Sequence, residues 1–267
     1  AADEVKREVV VSDTQVPVIT LLGDPIVFVE VGNAYVEAGA TAADIADGDL
    51  TSSIVTVNPV NSSVVGTYTV TYNVSDAAGN AASEVTRTVT VVDTTAPVIT
   101  LIGPSSVTHE LGTSYVDAGA TAADIADGDL TSSIVTVNPV NSSVVGTYTV
   151  TYNVSDAAGN AASEVTRTVT VVDTTAPVIT LNGPSSVSVE VGYSYTDAGA
   201  NAIDNADGDL TSSIVTVNPV DVNTVGTYIV TYNVSDAAGN AAAEVTRVVE
   251  ITPDATKPVI ALVGDAT

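Results

Sequence analysis

The sequence predicts an all-β protein, a tandem array of small antiparallel β-sandwiches, and three observations carry that expectation. Residues 38–101 recur letter for letter at 118–181, and a third copy follows with scattered changes such as Asn201, Ile203 and Asn205. A fixed long period of this kind is the mark of a repeat architecture. Short runs of Val, Thr, Ile and Tyr alternate with Gly, Pro, Asn and Asp, the punctuation of strands and turns. No stretch carries a helical period.

The period divides the 267 residues into repeats at 14–93, 94–173 and 174–254, the last with one extra residue near Pro253. Each is large enough for one modest core. Residues 4–14 imitate residues 84–94, so 1–13 reads as a partial last strand of a preceding repeat. Residues 257–264 imitate 96–103, so 255–267 reads as a partial first strand of a following one. With no Met and no signal peptide, the chain is expected to be a piece of a longer array.

The second repeat stands for all three. It opens with a strand at 97–101, turns at Gly103-Pro104 and continues as a strand from Val107 to Leu111. The stretch Ala122 to Thr131 then sets Asp124, Asp127 and Asp129 within six residues, its Asp-Gly pair marking a tight turn. A strand at 134–137 ends at Asn138-Pro139. Residues 147–154 are the clearest strand, with Tyr148, Val150, Tyr152 and Val154 on the core face and Thr147, Thr149 and Thr151 opposite. One of the two tyrosines can bond its hydroxyl as in a tyrosine corner. After a turn at 156–160, residues 164–172 form the last strand, with Val165, Val169 and Val171 on one face and Thr166, Thr168 and Thr170 on the other. About seven short strands per repeat fit an antiparallel sandwich of immunoglobulin-like topology.

Composition limits the function. Six basic residues against 32 acidic ones give a net charge of −26, which inverts the attraction that draws proteins to nucleic acid or anionic membranes. Cations or cationic surfaces are the expected partners. An apolar content of 45% supplies a core, so the charge does not signal disorder. There is no cysteine for disulfides or thiolate metal sites, and no apolar run of membrane-spanning length. Lysine occurs only at Lys6 and Lys257, which excludes a Lys-Asn isopeptide crosslink within a repeat. Arg167 is read as pairing across the sheet with an acid, a contact worth under about 1 kcal/mol if exposed. His109 aligns with Val29 and Val189 and is a substituted strand position. With no nucleophile beside a base and no phosphate loop, an enzyme is not expected.

Three carboxylates in one turn, with almost no neighbouring Lys or Arg, repel one another unless a cation sits among them. The group recurs as Asp44, Asp47 and Asp49 upstream and as Asp204, Asp207 and Asp209 downstream, at 80-residue intervals. It lacks the twelfth-position Glu of an EF-hand. The competing reading is that Asp and Asn simply make turns and keep the surface soluble.

The run Gly146 to Tyr152, the turn Asp156 to Asn160, the acidic loop and the junction Asp173 to Ile179 together resemble bacterial immunoglobulin-like repeats of the type named after a pesticidal crystal protein and related to hyalin repeats. The resemblance covers all three repeats and both partial ends. It implies tandem sandwiches that act as spacers in surface adhesins or as accessory domains in secreted enzymes and toxins. In such a sandwich the loop between the second and third strands and the loop before the last strand lie at the domain's N-terminal end. On that assignment Asp124, Asp127 and Asp129 share an end with Asp156, Asn160 and the linker residue Asp93, enough oxygen to hold one calcium ion or two. The equivalent sets are Asp13, Asp44, Asp47, Asp49, Asp76 and Asn80 in the first repeat, and Asp173, Asp204, Asp207, Asp209, Asp236 and Asn240 in the third.

The expectation is therefore a calcium-rigidified stalk or fibre segment, extracellular or on a bacterial cell surface, whose partners are neighbouring repeats. The alternatives are a module whose threonine face binds glycan or another cell, and a subunit that joins copies of itself in a filament.

Overall fold

A computed structural model describes residues 3–260, and these form two compact units. One comprises the residues through Gly103 with Ala118–Val137 and Thr151–Thr166, the other Pro104–Asp117, Asn138–Val150 and the residues from Arg167 onward.

The first unit contains the whole first repeat, whose strands are β1 (Val18–Leu21), β2 (Ile26–Glu30), β3 (Ala40–Asp44), β4 (Gly48–Asp49), β5 (Val55–Val57), β6 (Gly66–Asn73) and β7 (Val85–Val92). They form a three-stranded sheet in the order β1-β3-β4 and a four-stranded sheet in the order β2-β7-β6-β5. The chain changes sheets between Leu21 and Ile26, through Gly23 at a φ of 78°. That crossover lets β2 run parallel to β7, Ile26 opposite Thr88, while β1 stays antiparallel to β3.

Period-2 alternation fixes which side chains meet between the sheets. Val70, Tyr72 and Val89 of the larger sheet pack on Ile19, Ala40 and Ala42 of the smaller. On the outer face Thr67, Thr69 and Thr71 stand opposite Thr90, Thr88 and Thr86. In the same unit, strands at Val98–Leu101 and Ala120–Asp124 pair in the register of β1 and β3.

The second unit contains the third repeat, with the same two sheets and a core of Ile179, Ala200, Ala202, Val230, Tyr232, Val234, Val249 and Ile251. It also holds the strand Ser106–Glu110, parallel to the last strand of its repeat with Val107 opposite Val169.

Arg167 pairs with an acid as expected, but from inside the core rather than across an exposed sheet face. It follows the alternation of Val165, Val169 and Val171 into the core and is 1% exposed. Its guanidinium pairs with Asp117, and its Nε donates to the carbonyl of Pro104 at 3.0 Å. Arg87 and Arg247 repeat the arrangement: Arg87 bonds the carbonyls of Leu22 and Asp24, and Arg247 those of Asn182, Pro184 and Gly199. The crossover between sheets exposes main-chain acceptors to the interior, and a five-donor fork satisfies several at once.

The acidic stretch, read as a loop from Ala122, is strand through Asp124 and then a hairpin, with Asp124 opposite Gly128. Alanine gives little sign of a strand, but Ala120 and Ala122 are small enough to pack inward. Of the partial strand read at 1–13, residues 3–13 are in no strand and 1–2 lie outside the described residues. Of the partial strand read at 255–267, residues 255–260 are in no strand and 261–267 lie outside the described residues.

Candidate metal centre at the acidic hairpins

Each acidic hairpin folds around its first aspartate. Asp44 Oδ1 accepts from the backbone N–H of Ala46 at 2.7 Å and of Asp47 at 3.2 Å, and Asp124 and Asp204 do the same with their hairpins. The glycine that follows each three-residue turn, Gly48, Gly128 or Gly208 at φ 72° to 75°, completes a bend that a side chain would strain. Fixing Oδ1 inward leaves Oδ2 of Asp44, Asp124 and Asp204 buried with no hydrogen-bond partner. Asp204 is 5% exposed as a residue.

The loop before the last strand comes to meet the hairpin. Asp47 Oδ2 accepts from the N–H of Ala77 at 2.8 Å, Asp127 from Ala157 at 2.7 Å and Asp207 from Ala237 at 2.7 Å. Asp76 is held on both oxygens by Asn80, from its backbone N–H and its side-chain amide, each at 2.7 Å. Burial raises the Asp76, Asp156 and Asp236 carboxyls, but these Asn bonds and neighbouring backbone donors outweigh it, leaving all three below the usual range.

The linker aspartate closes the group. Carboxylate oxygens of Asp13, Asp44, Asp47 and Asp76 lie within 4.8 Å of one another, as do those of Asp93, Asp127 and Asp156, and those of Asp173, Asp204 and Asp207. Burial first, then the charges of Asp124, Asp156 and Glu30, push the Asp93 carboxyl above its ordinary value. Asp173 is raised in the same way, its neighbours being Asp204, Asp236 and Glu110.

These donors fit a hard cation. All are oxygens, and two oxygens each about 2.4 Å from one calcium ion lie no more than about 4.8 Å apart. Arg87, Arg167 and Arg247, the basic side chains within the repeats, are committed to the cores, so among the described residues no ion pair neutralises the hairpins.

Asp124 and Asp236 are not among the carboxylates grouped within 4.8 Å, and three further expected positions turn away. Asp49, Asp129 and Asp209 turn back to accept from the N–H of Thr51, Thr131 and Thr211 at 2.9 Å, and hydrogen bonds from the same threonines lower their pKa. The threonine they bond is the first residue of the short 3-10 turn that follows. Asn80, Asn160 and Asn240 are in the site as donors: each side-chain amide also reaches the linker carbonyl of Asp13, Asp93 or Asp173, at 3.2–3.3 Å.

Sequence reading missed Glu30, Glu110 and Glu190. Glu30 accepts from the Thr94 N–H at 2.8 Å, the Thr94 hydroxyl at 2.9 Å and the Thr95 hydroxyl at 2.8 Å. The signal was available in the recurrence of one glutamate, at a strand end, 64 residues before each Thr-Thr pair of the first two linkers. His109 adds no catalytic pair: its Nε2 lies 3.1 Å from the Thr113 hydroxyl, but that hydroxyl donates to the Glu110 carbonyl at 2.7 Å.

Two-sheet sandwiches with a parallel contact between the second strand and the last, and an acid-lined end, define an array of immunoglobulin-like domains. The chain belongs to the family described as bacterial surface protein, Ig-like domain, whose model matches residues 19–91, 99–171 and 179–251. It is 34% identical over 271 residues to hyalin of Lytechinus variegatus, covering 96% of this chain and 51% of that protein. It is 35% identical over 239 residues to pesticidal crystal protein Cry22Aa of Bacillus thuringiensis, covering 80% and 31%. The chain thus spans about half or less of the length of these relatives. Among solved structures, the I-band fragment I67–I69 from titin aligns over 91% of this chain and 100% of its own at 14% identity and a TM-score of 0.29.

Proposed function

We propose that the chain is a segment of a calcium-stiffened stalk or fibre, part of an adhesin-like protein at a bacterial cell surface or secreted from the cell. The observation that carries this reading is the buried, unpartnered Oδ2 of Asp204, set among carboxylates that include linker residue Asp173. A buried acceptor without a donor is costly, and a bound ion is one of the few things that removes the cost. Because the linker aspartate comes from the end of the preceding repeat, an ion at each cluster ties that linker to the next repeat's hairpin. Without the ion the carboxylates repel and the junction loosens; with it the array stiffens.

Small-angle scattering and thermal unfolding in EDTA and in millimolar calcium test the proposal. A longer, narrower particle with a raised melting temperature in calcium is the expected result. Identical curves in both conditions would sink it and leave the acids as turn formers.

A second reading is favoured by one surface. In the first repeat Ile26 and Phe28 are exposed on β2 and stand in register with Thr88 and Thr90, which in turn oppose Thr69 and Thr67. A flat row of hydroxyls beside an aromatic ring suits the face of a neutral polysaccharide or another cell's glycans. Glycan-array binding lost on Phe28→Ala supports this reading, and no binding on any array discards it. Assembly with copies of itself into a filament is separated from both by sedimentation velocity across concentration.

A further inference from the structure

We infer that Glu30, Glu110 and Glu190 are positioning residues, each latching the segment after its own repeat, and that Glu30 and Glu110 thereby deliver Asp93 and Asp173 to the next cluster. The inference rests on the calcium reading and adds residues that lie outside the carboxylate groups. Glu30 ends β2, opposite Val92 in the parallel register, so its side chain stands beside the chain as it leaves β7. Both its oxygens are used, by the Thr94 N–H and hydroxyl and by the Thr95 hydroxyl. The Thr94 N–H first, then the two hydroxyls and the Thr95 N–H, hold its carboxyl below the usual range. A carboxylate so occupied is a latch rather than a ligand.

The geometry recurs. Glu110 takes the Thr174 hydroxyl at 2.6 Å and the Thr175 hydroxyl at 2.7 Å, and Glu190 takes the Ala255 N–H at 2.6 Å and the Thr256 hydroxyl at 2.9 Å. Asp93 sits between two restraints: Glu30 grips the residues just after it, while Asn160, in the following repeat, holds its carbonyl. Its carboxylate is therefore aimed at Asp127 and Asp156 before any ion arrives. Outer groups that fix a ligand's orientation typically change metal affinity by about 10- to 100-fold when removed.

The test uses the full chain with its first and third clusters silenced by Asp47→Asn and Asp207→Asn, so that calcium uptake reports the Asp93 cluster alone. Calorimetric titration with calcium is compared for this parent, for Glu30→Ala and for Glu30→Gln. Expected are an affinity lower by about tenfold in Glu30→Ala and its recovery in Glu30→Gln, whose amide oxygen still accepts from Thr94 and Thr95. Equal affinities in the parent and Glu30→Ala overturn the inference alone. So does a Glu30→Gln as weak as Glu30→Ala, since the charge or direct ligation would then be what matters. No uptake by the parent overturns the calcium reading and the inference with it. Should Glu30→Ala fail to fold, Thr94→Val with Thr95→Val removes two of the three donors from the other side and is read in the same way.

Discussion

The side-chain amide of Asn160 donates to the main-chain carbonyl of Asp93 at 3.2 Å and to Asp156 Oδ2 at 2.8 Å. One residue thus ties the linker from the first repeat to the loop before the last strand of the second. Replacing it by alanine leaves both acceptors short of a donor, at a cost of roughly 1–3 kcal/mol. Asn160→Ala should therefore lower the melting temperature in EDTA, measured by calorimetry, and an unchanged transition would show that the bond contributes nothing to stability.

Asp204→Asn separates metal binding from folding. The amide keeps the oxygen that Ala206 and Asp207 use and places a donor where the buried Oδ2 was alone. In EDTA the variant should be as stable as the parent or more so, while the calcium-induced rise from the third repeat disappears. Asp209→Asn, at a residue whose carboxylate is taken by the Thr211 N–H, should leave the calcium response intact.

Arg167→Met should unfold its repeat. The change removes the guanidinium from the part-buried Asp117 carboxylate and from the Pro104 carbonyl, and breaking such a pair from one side costs about 3–5 kcal/mol. Arg167→Lys should not restore stability, because an ammonium cannot reproduce the planar fork. Urea denaturation followed by circular dichroism gives the comparison.

Trypsin should trim the folded chain only near its N-terminus. Lys6 and Arg7 are exposed, whereas Arg87, Arg167 and Arg247 are each 1% exposed within last strands. Lys257 is followed by proline, a poor junction for the enzyme. Early cleavage after Arg87 or Arg167, resolved by mass spectrometry, would mean that a repeat opens readily.

Alkali should weaken the third repeat late. Burial and then the Asp197 carboxylate push the Tyr232 hydroxyl up to about 12. A group raised in the folded state stabilises fully below its unfolded value, about 10 for tyrosine, and that stability is lost as pH rises through the folded value. Phenolate absorbance should show this tyrosine ionising well after free tyrosine, together with loss of the fold.

The repeats, the strands and the inward set of Tyr152, Val150 and Val169 were legible because period-2 alternation follows from backbone geometry alone. The acidic triplets were legible as groups. That Asp127 faces the cluster while Asp129 turns to the Thr131 N–H was not, because the two are separated by one glycine and only the hairpin's bend decides which way each points. Arg167 was hidden differently: its parity placed it inside, but its charge argued for solvent until the crossover carbonyls supplied partners. The sequence by itself determined the class of fold, the period and the sign of the charge, all of which depend on neighbours along the chain. Tertiary structure decided the aspartates that converge, the glutamates that latch the linkers and the place of the arginines, because each depends on groups about 30 to 67 residues away brought within hydrogen-bonding reach.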